Sequence, residues 1–105
     1  MINSDSALSG KNIKTIGKSM DETREYHERY LRAINNPLRI KILRAIKDGF
    51  LNIEDLELST GLDASTLNWH LRVLENGFCV EKDPTEGKLV YKLTREGRVI
   101  DFLKK

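Results

Sequence analysis

The chain is short of cysteine, of long apolar runs and of any large excess of one charge, and each shortage removes a class of protein. One cysteine, Cys79, stands among 105 residues. A single thiol excludes an internal disulfide framework and any zinc site built on several cysteines. No apolar run approaches the roughly 20 residues that a membrane-spanning helix needs. Residues 1–18 mix Asn, Ser, Gly and Lys with scattered Ile and Leu, and lack the apolar core of a signal peptide. The expectation is a soluble, cytoplasmic chain. Charged residues reach 32%, yet the formal net charge is only +2. Whole-chain charge therefore does not argue for nucleic acid, and the placement of the charges has to. There is no nucleophile–base pair, no paired-carboxylate constellation, no phosphate-cradling glycine loop and no metal-ligand spacing, so no enzyme chemistry, cofactor or metal is expected.

What is present fits one small domain. Apolar residues make up 39% of the chain, enough for a modest core of the kind that oligomerisation often reinforces. Residues 1–19 carry no amphipathic period and read as a flexible tail, leaving 20–105 as the folded domain. A helical pattern runs over 21–34. It has acidic residues Asp21, Glu22 and Glu25 near its start, and Tyr26, Tyr30, Leu31 and Ile34 on one face. Asn36-Pro37 is a break followed by a capped start. The next helix, 37–47, sets Leu38, Ile42, Leu43, Ala45 and Ile46 against Lys41, Arg44 and Lys47, and stops at Gly49.

Asn52 opens a short acidic helix that Gly61 ends. A turn around Gly61-Leu62-Asp63 then leads into a helix over 65–76. Two short helices joined by a tight glycine-containing turn form a helix-turn-helix. Two strand-like runs follow, 78–82 and 88–93, with a five-residue tip at 83–87. Thr94 caps a last helix over 95–104, with Val99, Ile100, Phe102 and Leu103 as its apolar contacts. The fold class is mainly α with a small β-hairpin: a winged helix-turn-helix with extra N- and C-terminal helices.

The helix over 65–76 has two faces. Leu67, Leu71 and Leu74 share one arc and belong to the core. Ser65, Asn68, Trp69, Arg72 and Asn76 lie on the other. Serine can bond phosphate, asparagine can pair with adenine, and arginine with guanine or phosphate, so this face is equipped for a major groove. Thr66 stands beside Ser65 at the helix start. Trp69 has two open readings: packing against the hairpin or a partner subunit, or a groove contact. His70 sits beside the leucine arc and reads as a structural imidazole bonded to backbone. Cys79, between Phe78 and Val80, reads as a buried thiol. The hairpin is the wing, with Lys88 and Lys92 as its cations, and Lys41 and Arg44 could add phosphate contacts.

The run Asn36-Pro37-Leu38-Arg39-Ile40-Lys41-Ile42-Leu43 is similar to the opening of ArsR-type winged-helix regulators. The run from Leu62 through Asn68-Trp69-His70-Leu71-Arg72 to Gly77 resembles that family's recognition helix, and Val90-Tyr91-Lys92-Leu93 its wing. The resemblance implies a homodimeric, DNA-binding regulator, in the main a repressor. It also implies that Tyr26, Tyr30, Leu31 and Ile34 with Val99, Ile100 and Leu103 pair the subunits. Metal-sensing members carry a cysteine pair where this chain reads Asn52-Ile53-Glu54-Asp55, and some use Asp and His ligands in the last helix. Neither set is here, which implies no metal sensing of that kind and leaves the effector unnamed. The rival reading is a winged helix used for protein–protein contact. The acidic helix over 52–61 and an aromatic on the outer face favour it.

Overall fold

The computed structural model describes residues 15–84 and 87–102. In chain order it contains α1 (Met20–Ile34), α2 (Pro37–Lys47), α3 (Ile53–Thr60), α4 (Ala64–Asn76), β1 (Val80–Asp83), β2 (Val90–Leu93) and a C-terminal 3-10 helix (Glu96–Phe102). Each α-helix starts on a side-chain cap. Ser19, Asn36, Asn52 and Asp63 accept the orphan amides of Glu22, Leu38 and Arg39, Asp55, and Thr66 respectively. Pro37 occupies the first turn of α2, where no amide is needed. Gly61 ends α3 with φ of 77°, a left-handed conformation that suits glycine and turns the chain toward α4.

The core is built from α2, α3, α4 and the hairpin, with Ala33 of α1. Ile42, Leu43, Leu56, Leu67, Leu71, Leu74 and Cys79 are its largest fully buried side chains, and Val80, Tyr91 and Ile100 close it on the hairpin side. β1 and β2 are antiparallel, with Val80 opposite Leu93 and Lys82 opposite Tyr91. Both strands are shorter than the sequence suggests. β2 starts at Val90 because Gly87, with φ of 77°, and Lys88 belong to the turn. The hairpin is also tied to the α2–α3 link, since the Tyr91 amide donates to the Leu51 carbonyl at 2.9 Å.

Three further findings go beyond the sequence reading. The last described element, where a helix over 95–104 is expected, is a 3-10 helix over Glu96–Phe102, and 103 and 104 lie outside the described residues. Burial explains this: Thr94, Gly97 and Ile100 are buried at intervals of three, which is the 3-10 repeat. Phe102 is 85% exposed, so it is no core contact. The second is Arg39, a charged residue buried to 6% exposure inside the inward face of α2, while Leu38 is 40% exposed. The third lies at the end of α4. Asn76-Gly77 does stop the helix, but Gly77 has an ordinary φ of −92°, and the left-handed residue is Phe78, at 68°.

Left-handed backbone is costly for phenylalanine, roughly 1–2 kcal/mol. The ring is held in compensation. It packs on Tyr26 with centroids 4.9 Å apart, and the Arg29 guanidinium lies 4.9 Å from each of the two rings. Arg29 also donates to the Asn76 side chain at 3.0 Å. Of the expected tail, residues 1–14 lie outside the described residues. The remainder is held against the domain: Thr15 is buried and its amide donates to Glu96 at 2.9 Å, while the Gly17 amide donates to Thr23.

Gly77 is needed for close approach. A Cβ there would stand 2.5 Å from the Ala33 Cβ and 2.8 Å from the Arg29 carbonyl oxygen. Gly77→Ala is expected to lower stability by about 2 kcal/mol, by forcing α1 off the end of α4. Urea denaturation should show a lower midpoint at unchanged slope. An unchanged midpoint would mean that the two helices can part freely.

Candidate nucleic-acid interface

The cap on Asp63 and the leucine arc together decide what α4 shows to solvent. Asp63 accepts from the Thr66 amide at 2.8 Å. The Thr66 hydroxyl bonds the same carboxylate, and the two bonds hold Asp63 below the usual carboxylate range. Leu67, Leu71 and Leu74 are at most 1% exposed, which fixes the rotation of the helix. Ser65, Asn68, Trp69 and Arg72 are thereby exposed along its outer side, and Thr66, half-buried, belongs to the cap. Of the two readings of Trp69, packing against the hairpin is not what is seen. The ring is 57% exposed and meets His70 edge-on at 5.0 Å.

His70 is buried, at 6% exposure, but its partner is a side chain and not the backbone. The Arg39 Nη1 lies 3.3 Å from His70 Nδ1. Arginine can only donate, so Nδ1 accepts and the neutral ring carries its proton on Nε2. The other Arg39 donors go to the end of α1: Nε to the Ala33 carbonyl at 2.9 Å and Nη2 to the Arg32 carbonyl at 3.1 Å. The guanidinium carbon is also 5.7 Å from the centre of the Trp69 ring. Sequence reasoning missed Arg39. Its position was the available signal, because it lies three, four and seven residues before Ile42, Leu43 and Ile46, on the buried side of α2.

The expected cations are unequal. Lys41, Arg72 and Lys88 are exposed, and Arg44 is half-buried and partnered. Lys92 pairs with Asp83 at 2.6 Å, a diagonal cross-strand contact that raises the lysine's pKa. Lys47 pairs with Asp101. Lys82 lies 3.7 Å from Glu75. A shallow groove of about 350 Å³ runs between Asn52–Asp55 at the start of α3 and Lys88-Leu89 of the wing. Cys79 is fully buried, its Sγ lies 3.6 Å from the Gly77 carbonyl oxygen, and burial pushes the thiol up to about 12.

The residues expected to pair subunits differ in exposure. Ile100 is 5% exposed and belongs to this chain's own core, so it has almost no surface to offer a partner. Tyr26 is committed to Phe78, and Tyr30 and Ile34 pack against the core. Leu31 is 57% exposed, Val99 is half-buried, and Leu103 lies outside the described residues. Among the described residues no group of three metal-ligating side chains is gathered, and no helix is long and apolar enough to cross a membrane.

Residues 36–77, which span α2, α3, the turn and α4, match the family model for bacterial regulatory proteins of the arsR family. The match likens this segment to that family's helix-turn-helix and covers less than half of the chain. No curated protein matches the chain. Among solved structures, the chain is similar to the homodimeric winged helix-turn-helix DNA-binding domain of Mb0332 from Mycobacterium bovis, described as a possible ArsR-family transcriptional regulator. That match has a TM-score of 0.71 and 21% identity, and covers 86% of this chain and 85% of the other. The transcriptional repressor BigR from Xylella fastidiosa matches with a TM-score of 0.63 and 22% identity, over 80% of this chain and 88% of that one. BpsR from Bordetella bronchiseptica, whose DNA binding is regulated by 6-hydroxynicotinic acid, matches with a TM-score of 0.58 and 17% identity. It covers 73% of this chain and only 61% of the BpsR chain. These likenesses establish the winged-helix fold.

His70 makes stability depend on pH. Burial first, and the Arg39 charge second, lower its pKa below the ordinary value. The unfolded chain therefore takes up the proton more readily than the native one. This contribution is complete above about pH 6.5 and is lost as the pH falls below that value. The melting temperature is expected to drop between about pH 7 and 5, and His70→Gln should flatten part of that drop. An identical pH profile in the variant would show that the imidazole titrates as if exposed.

Proposed function

We propose that the chain is a homodimeric transcriptional regulator, acting in the cytoplasm as a repressor by occupying an operator in double-stranded DNA. The observation that carries this reading is the rotation of α4. The leucines are sealed in the core while Ser65, Asn68, Trp69 and Arg72 stand exposed on a helix that follows a tight turn. In this geometry α4 enters the major groove, with Asn68 and Arg72 offered to base edges. Trp69 offers its ring to thymine methyls or sugar, and Ser65 and Thr66 contact the backbone. Lys88 at the wing, with Lys41 and Arg44 on α2, supplies phosphate contacts. Lys92 would assist only by giving up Asp83.

A single α4 carries one basic residue, so affinity depends on doubling the contact through a second subunit. The exposed Leu31 on α1, and Met20 at 82% exposure three turns before it on the same side, support pairing through that helix. The match to the homodimeric Mb0332 domain supports it too. A second reading, a protein-binding winged helix, is favoured by the pairing of Lys47, Lys82 and Lys92 with carboxylates. An exposed Trp69 would also suit a protein interface.

The test is a gel shift on the region upstream of the protein's own gene, across a salt series from about 50 to 300 mM. A retarded complex whose affinity falls steeply with salt is expected. Arg72→Ala should weaken it by about tenfold or more, with the melting temperature nearly unchanged. No retardation at the lowest salt would instead favour the protein-binding reading. Sedimentation should give twice the mass of one chain, and Leu31→Glu should shift the equilibrium toward single chains. A variant as dimeric as the wild type would place the subunit contact elsewhere.

A further inference from the structure

We propose that Arg39 is a positioning residue for the reading face: through His70 it holds Trp69 in place and ties that ring to the last turn of α1. The proposal rests on the reading of α4 as the DNA-facing helix. Trp69 is the only tryptophan and stands 57% exposed, a position in which a large ring normally samples several rotamers. Here two groups constrain it. His70 meets it edge-on at 5.0 Å with planes 73° apart, and the Arg39 guanidinium is 5.7 Å from its centre, inside the range of a cation–π contact.

Arg39 itself cannot drift. Its three nitrogens are taken by the Ala33 carbonyl, the Arg32 carbonyl and His70 Nδ1. The two carbonyls are among those that the end of a helix leaves without intrahelical partners. The planar fork thus measures where α1 ends and passes that position to the outer face of α4. Lysine would keep the charge but not the fork, and could not serve two carbonyls and an imidazole in one plane. Ordering Trp69 before DNA arrives removes part of the entropic cost of fixing it on the duplex. The benefit falls on sequence-specific binding, where the ring must fit a groove, and not on phosphate attraction.

The arrangement requires a neutral imidazole. A protonated His70 could not accept from Arg39 and would set two cations face to face in a buried site. Among the described residues, the charged group that faces His70 is Arg39 of α2. α1 meets the cluster through its main-chain carbonyls, and α4 contributes the uncharged Trp69.

The experiment reads the emission of Trp69 in the full chain without DNA, between about pH 8 and 5, with acrylamide as quencher. Wild type should show one titration with a midpoint below the ordinary histidine value. His70→Gln should abolish it, which separates it from the exposed His27. Arg39→Lys should leave the secondary structure intact but raise quenching. In the gel shift, Arg39→Lys should lose about tenfold on the upstream region and less than about twofold on a scrambled duplex, where phosphate contacts dominate. Emission indifferent to pH and to Arg39→Lys would overturn the proposal, as would equal losses on the two duplexes. Should Arg39→Lys fail to fold, His70→Gln decides by the same emission titration. If the wild type retards no DNA, the regulator reading fails, and the emission titration alone still decides whether Arg39 and His70 hold Trp69.

Discussion

The burial of one guanidinium organises this fold. Arg39 sits at 6% exposure where α1, α2 and α4 meet, and its nitrogens satisfy two main-chain carbonyls and an imidazole. Taking a charge out of water is expensive, and it is tolerated only where hydrogen bonds replace hydration. Here they do so, and the same bonds relieve the end of α1 of carbonyls that would otherwise be buried and unpaired. Removing the side chain would strand three polar groups at once. The second junction between α1 and α4, at Arg29, Asn76 and Phe78, repeats the idea at the C-terminal end of α4 with exposed and half-buried groups.

Those junctions give the outer face of α4 its meaning. The leucine arc sets the rotation of the helix, the Asp63 cap sets where it begins, and Arg39 with His70 sets what lies beneath Trp69. The polar face is then a by-product of packing as much as of polarity. Charge is the weaker part of the proposed interface. Lys47, Lys82 and Lys92 are engaged with carboxylates, while Arg72, Lys41 and Lys88 are exposed. A DNA contact so sparing of charge would gain more from shape and from doubling than from attraction at a distance.

The element order, the caps at Asn36 and Asn52, and the two faces of α4 were legible because each is written in local spacing. What was not legible depends on contacts between distant residues. The spacing of Arg39 puts it on the buried side of α2, but not the partners that make burial tolerable: the carbonyls of Ala33 and Arg32 and the ring of His70 converge on it only in the fold. Lys92 reads as an open cation until the register of the hairpin sets it diagonal to Asp83. The 3-10 helix hides because its burial period of three runs through Thr94 and Gly97, neither of which an apolar pattern would count. Ile100 was recognised as apolar, but only the packed chain decides that it belongs to the inside.

The placement of Cys79 carries a consequence for chemistry in the cell. The sulfur is enclosed by the core, near the Gly77 carbonyl, and its proton is held up to about pH 12. The thiolate is the form that attacks oxidants and electrophiles, so the native protein presents them with an inert group. Oxidation or alkylation at this position must wait for the hairpin and the C-terminal 3-10 helix to part. The rate at which a thiol reagent labels Cys79 is therefore a clock for opening of this side of the core, built into the chain at a single atom.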